Sequence, residues 1–278
     1  MVVGMARSGT SLAAGIFARA GYHAGEAAAH NIREGDDHNP FGYFEADRLV
    51  EENRRILRAV GFHGRNTWNV ERIADEAVEA VRSLPPLPGH DAFVADWDRH
   101  APWVWKDPHL CLTMSYWRNL VPADLPVVLV RRDPEAVYRS FRRMGWADAS
   151  GVARRDVLDR VSQHLNEAQR TIRERDIPHV ALDLDRFRRE PEGIAAELSA
   201  LCEVELSVED LNFHPELDHS RALSRLSAML RIVGQHVPQR YRDAIERTVP
   251  RRVLGLVFPE RRYGRERLDP STRPDADR

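Results

Sequence analysis

The residues whose types and spacing best suit chemistry stand at the start of the chain: Gly4-Met-Ala-Arg7-Ser8-Gly9-Thr10-Ser11, directly behind the apolar Met1-Val-Val. A short apolar strand running into a glycine-bounded loop and then a helix start is the layout of a phosphate cradle. Two glycines let backbone N–H groups turn inward on an anion, and the helix N-terminus adds its own donors. The triphosphate-binding pattern G-x-x-x-x-G-K-[ST] fails at its most informative letter, because Thr10 stands where the lysine belongs and the loop's cation is Arg7, inside the bracket. Such a loop keeps the means to hold a 5′-phosphate and lacks the group that reaches along a triphosphate. The expected ligand is anionic and is not ATP.

Two later segments share one design. Residues 103–105 read as a strand followed by Lys106-Asp107-Pro108 and a helical run over 109–120. Residues 127–130 read as a strand followed by Arg131-Arg132-Asp133-Pro134 and a helical run over 135–144. Aspartate is a good N-cap and proline suits the first helical position, so Asp107 and Asp133 are expected to be structural. The cation before each cap lies at the carboxyl end of a strand, and in a parallel sheet that edge is where ligands bind. Lys106 is the only lysine among 41 lysine and arginine residues, which marks it as a site needing a compact ammonium and not a guanidinium fork.

The elements that must position these residues follow from periodicity and breakers. Helices are expected over 10–20, ended by Gly21, over 45–60, and over 70–84, ended by Pro85, Pro86, Pro88 and Gly89. A short strand is expected over 22–26 and a polar loop over 31–40. Beyond the two shared units come a long helix over 154–175, a strand over 178–184, a helix over 191–202, and helical segments over 220–236 and 239–248. The alternation implies a three-layer α/β/α fold with a central parallel sheet, one domain over 1–258, and a frayed polar tail over 259–278.

Composition narrows the class. At 278 residues with 42% hydrophobic content a sizeable core can form, and a net charge of −2 lacks the basic excess of a general nucleic-acid binder. Cys111 and Cys202 sit among apolar residues far apart in sequence and are expected to be free thiols. No apolar run approaches the ~20 residues of a membrane span and no signal peptide is evident, so a cytoplasmic location is expected. The strand before Gly4 is short enough that the native start could lie upstream.

Arg7-Ser8-Gly9-Thr10-Ser11 resembles the 5′-phosphosulfate loop of the sulfotransferases that use 3′-phosphoadenosine 5′-phosphosulfate (PAPS). Arg132-Asp-Pro-x-x-Val-x-x-Ser140 resembles that family's 3′-phosphate segment, and Lys106-Asp-Pro resembles a motif of the tyrosylprotein branch and of many bacterial members. The three motifs occur in the proper order over the first half of the chain. The resemblance implies a P-loop-like sulfotransferase fold, PAPS as co-substrate without a metal, and transfer of a sulfuryl group to a hydroxyl acceptor with release of PAP. It implies that Arg7, Ser8, Gly9, Thr10, Ser11, Arg132 and Ser140 bind the nucleotide, and that Arg7 and Lys106 support the leaving phosphate.

A general base must also be supplied. The cytosolic branch places a histidine two residues past the lysine, where this chain has Pro108. Three candidates remain. Glu45, in Asn39-Pro-Phe-Gly-Tyr-Phe-Glu45, is similar to a stretch of bacterial relatives; Glu26 lies near the position of the tyrosylprotein base; His109 is read as a surface residue of a helix's first turn. Phe41, Tyr43, Phe44, Phe62 and Trp68 are candidates for an apolar acceptor pocket, the other aromatics for core. Two alternatives are a P-loop kinase, which would need Asp96 or Asp183 to hold Mg²⁺, and a PAP-binding module without activity. The acceptor and the oligomeric state stay open.

Overall fold

Residues 127–130 are an unbroken run of Val-Val-Leu-Val, the pattern of a parallel strand buried on both faces. In the computed structural model, which describes residues 1–25, 39, 41–63 and 72–214, this run is β2 (Val127–Arg131), the middle strand of a parallel sheet ordered β1-β2-β3. β1 (Val2–Val3) pairs Val2 with Val128, and β3 (His179–Asp183) pairs along all five residues, from Val127↔His179 to Arg131↔Asp183. The expected helices over 220–236 and 239–248, the tail over 259–278, Glu26 and Trp68 lie outside the described residues.

The period of two along β2 sends its side chains alternately to two apolar layers. Val127 and Leu129 join a core with α2 (Asp47–Ala59), α3 (Asp75–Ser83), α4 (His90–Asp98), α5 (Leu110–Trp117) and part of α7 (Gly151–Glu174). Val128 and Val130 join a second core with α1 (Thr10–Arg19), α8 (Arg186–Arg189) and α9 (Pro191–Cys202). The class is therefore α/β, a parallel sheet with helices on both faces. α6 (Pro134–Arg143) packs on α7 beside Met5 and Ala6 of the loop that follows β1.

The expected strands over 103–105 and 22–26 form no ladder. Val2 donates its N–H to the Trp105 carbonyl at 2.8 Å, and Val2↔Lys106 and His23↔Trp103 are single parallel bridges. A two-residue β1 has too little length to extend them. α4 was not expected: it follows the proline cluster at once, entered through Gly89 at φ +88, and its apolar residues Phe93, Val94 and Trp97 are interspersed with acids. Asp96 consequently lies on a helix, ion-paired with Arg48 at 3.0 Å and with Arg99, while Asp183 ends β3 and pairs with Arg131 at 2.8 Å. Trp97, Trp103, Trp105 and Trp117 stack with one another and with Phe93 in the first core, as expected of core aromatics. Cys111 and Cys202 are both free thiols, Cys111 being buried.

His164 of α7 is buried with its ring Nδ1 on the Arg160 carbonyl at 3.0 Å. Burial first, then the neighbouring Arg160 charge, holds its pKa well below 6.5. A histidine kept neutral in the folded state and free to protonate when unfolded contributes stability that is complete above pH 6.5 and declines as the pH falls below it. Chemical denaturation from pH 7.5 to 5 is expected to show that decline, at most about 1.4 kcal/mol per pH unit from this group. His164→Leu should flatten the slope whatever it does to the absolute stability.

Candidate functional site

The cradle is shaped by what its glycines permit. A Cβ on Gly4 would lie 2.5 Å from the Val130 carbonyl oxygen and 2.8 Å from Thr10 Cγ2, so only glycine lets the loop pass this close to β2. Gly9 precedes α1 at φ +104, and no side chain caps the helix there. The first-turn amides of α1 are left for a ligand or solvent. α6 is different: Asp133 accepts from Glu135 N at 3.3 Å and Ala136 N at 3.1 Å, satisfying that terminus internally, as expected of an N-cap. Ser8, an expected nucleotide contact, turns back into the loop, its hydroxyl and its N–H both donating to the Met5 carbonyl at 2.5 and 3.2 Å. Both donors brace the loop.

Arg7, Arg132 and Ser140 form one contiguous group. Ser140 Oγ accepts from Arg7 Nε at 3.1 Å, and Arg132 donates to the Arg7 carbonyl at 2.9 Å, so the serine two turns into α6 steadies the loop's cation. Burial first, then the charges of Arg7 and Arg139, lowers the Arg132 pKa to about 10. Three guanidinium groups that repel one another at a strand end make a place that favours an anion. Arg139 reaches Asp133 at 3.4 Å, and Arg142 lies over the Tyr138 ring.

Lys106 is buried and meets two partners, donating to Ser11 Oγ at 3.2 Å and forming an ion pair with Glu45 that is 3% and 4% exposed on its two sides. The sole lysine, the first turn of α1 and one candidate base therefore meet at one point. Glu45 is set there by the chain before α2: Phe44 adopts φ +54 and its ring lies against α1 where Gly15 has no side chain, a Cβ there being 2.9 Å from Phe44 Cε2. Phe62 packs against the first core, and Phe41 is 43% exposed and stacks on His214 at 4.8 Å.

His109 and Asp107 differ from expectation. His109 is the N-cap residue of α5 and fully buried, so the surface reading is corrected; its ring Nδ1 lies 2.7 and 2.8 Å from the two Asp107 carboxylate oxygens. Asp107 does not occupy the N-cap position, although it accepts from the His109 N–H at 3.3 Å. It also accepts from Asn53 Nδ2 at 2.7 Å, and Asn53 Oδ1 in turn accepts from Thr113 Oγ1 at 2.7 Å and Trp117 Nε1 at 2.8 Å. Asn53 was missed. Its signal is legible, since it occupies the buried stripe Leu49, Val50, Asn53, Ile56, Leu57 of α2, where a polar residue demands a partner.

Among the described residues no group of three or more His, Cys, Asp or Glu side chains is placed to hold a metal ion, and no helix is long and apolar enough to cross a membrane. Comparison of the chain with protein-family models, with curated proteins and with solved structures finds no match in any of the three.

Proposed function

We propose that the chain is a PAPS-dependent sulfotransferase of P-loop-like fold, moving a sulfuryl group onto a hydroxyl acceptor and releasing PAP. The observation that carries this reading is the meeting of Lys106 with Ser11 at the uncapped start of α1, beside the joined pair Arg7 and Arg132. Arg7, Lys106 and the amides of Gly9 to Ser11 are the groups suited to a 5′-phosphosulfate, and Arg132 is suited to a 3′-phosphate.

In the step so assigned, the acceptor oxygen bonds to sulfur while the bond from sulfur to the phosphate oxygen breaks, and that oxygen keeps the electron pair. Charge grows on the leaving oxygen, where fixed cations and amides lower the barrier. The acceptor proton passes to a carboxylate, for which Glu45 is the described candidate. The kinase alternative loses support from Asp96, which α4 ties to two arginines. A module without activity would bind PAP and turn nothing over.

Thermal unfolding with PAP and with ATP and Mg²⁺ tests the reading. PAP is expected to stabilise the protein by about 2.7 kcal/mol at a hundred times its Kd, with little effect from ATP and Mg²⁺. Incubation with labelled PAPS and a metabolite extract should then yield sulfated products in the presence of EDTA. Stabilisation by ATP and Mg²⁺ alone would overturn the assignment.

A further inference from the structure

We infer that Asn53 is a positioning residue for Lys106, holding the sole lysine in register against Glu45 by gripping the next residue along the chain. This deepens the proposed function and rests on it only for its effect on turnover. The juxtaposition is specific. Glu45, just before α2, pairs with Lys106, while Asn53, two turns along the same helix, donates to Asp107 at 2.7 Å. Consecutive residues of one segment are thus clamped at two points, one just before α2 and one within it.

Asn53 is itself over-determined, fully buried with Oδ1 accepting from both Thr113 and Trp117 of α5. Those bonds fix the amide so that its N–H₂ must face Asp107. Asp107 in turn is fixed from the other side by His109. On the sheet side the segment carrying Lys106 has isolated bridges to Val2 and, through Trp103, to His23, with no continuous ladder beyond them. Without the Asn53 bond the Lys106 ammonium is free to leave Glu45 and Ser11.

Because the chain has one lysine, acetylation by acetic anhydride, read by mass spectrometry on the peptide carrying Lys106, reports that freedom directly. Asn53→Leu, which keeps the branched heavy-atom outline and removes the amide, is expected to raise the acetylation rate about tenfold, the cost of one buried hydrogen bond to a charged group. Turnover should fall by a similar factor with the KM for PAPS little changed, since Arg7 and Arg132 do not touch α2 in the bonds described. Asn53→Asp should match Asn53→Leu at pH 8 and recover toward wild type at pH 6, where two facing carboxyls share a proton that restores the bond.

The His109 ring lies against Asp107, whose charge also acts on Cys111 of α5, and His164 of α7 is acted on by Arg160 and His109. The wild type measured over the same pH range removes their contribution. Unchanged acetylation in both variants, or a rise that merely follows global unfolding measured by denaturant, would overturn the inference. If Asn53→Leu does not fold, Asn53→Asp at the two pH values decides. A wild type with no sulfuryl transfer would sink the proposed function and leave the acetylation result to stand or fall alone.

Discussion

Replacing Lys106 by alanine is expected to abolish turnover and to destabilise the protein, and the two losses can be separated. Its ammonium is buried against Glu45, so removing it takes the ion-pair cation from a buried carboxylate. Breaking a buried pair from one side costs about 3–5 kcal/mol, because the remaining charge keeps its desolvation penalty and loses its partner. At roughly 2–4 °C of Tm per kcal/mol for a domain of this size, a fall on the order of 10 °C follows. The double variant Lys106→Met with Glu45→Gln removes both charges and should regain most of that stability. Turnover should stay at least ~10²-fold down in both, since the cation at the leaving oxygen is missing and, in the double variant, the candidate base Glu45 is missing too. A double variant that regained activity along with stability would show that Lys106 is structural and no more.

Arg132→Ala is expected to do the reverse, sparing the free protein and damaging nucleotide binding. Burial and the charges of Arg7 and Arg139 already disfavour its guanidinium, with its pKa lowered to about 10. A cation whose folded pKa lies below its unfolded value subtracts from stability at neutral pH, so deleting it relieves repulsion, against which stand the lost hydrogen bond to the Arg7 carbonyl and the weaker attraction of Asp185 and Asp133. Denaturant titration should therefore show a change within about 1 kcal/mol of wild type. PAP affinity should fall by ~10- to 100-fold, the worth of charge-assisted hydrogen bonds to a phosphate. Equal PAP affinity in wild type and variant would place the 3′-phosphate elsewhere.

Much of the frame is legible in the sequence because its signals are local. The apolar run of β2, the Asp133-Pro134 cap, the Gly4 and Gly9 bracket and the helix over 191–202 each depend on a few adjacent residues, and the structure places them where those residues imply. Lys106 stands out by composition alone. What the sequence hides depends on distant partners. The bond from Arg7 to Ser140 crosses 133 positions and has no local signal. His109 looks like a first-turn surface residue until Asp107 and α7 enclose it. The bond from the Ser8 hydroxyl to the Met5 carbonyl is equally hidden, since the residue type suggests only a ligand contact. α4 escapes notice because acids interrupt its apolar residues and prolines precede it.

The convergence of Arg7, Lys106 and Arg132 on one nucleotide is tested most directly by a crystal structure of the chain with PAP. The expected result places the 5′-phosphate against the amides of Gly9 to Ser11, within reach of Arg7 and Lys106, and the 3′-phosphate on Arg132. PAP bound away from this strand edge, or bound with Arg132 and the loop contacting different molecules, would contradict it.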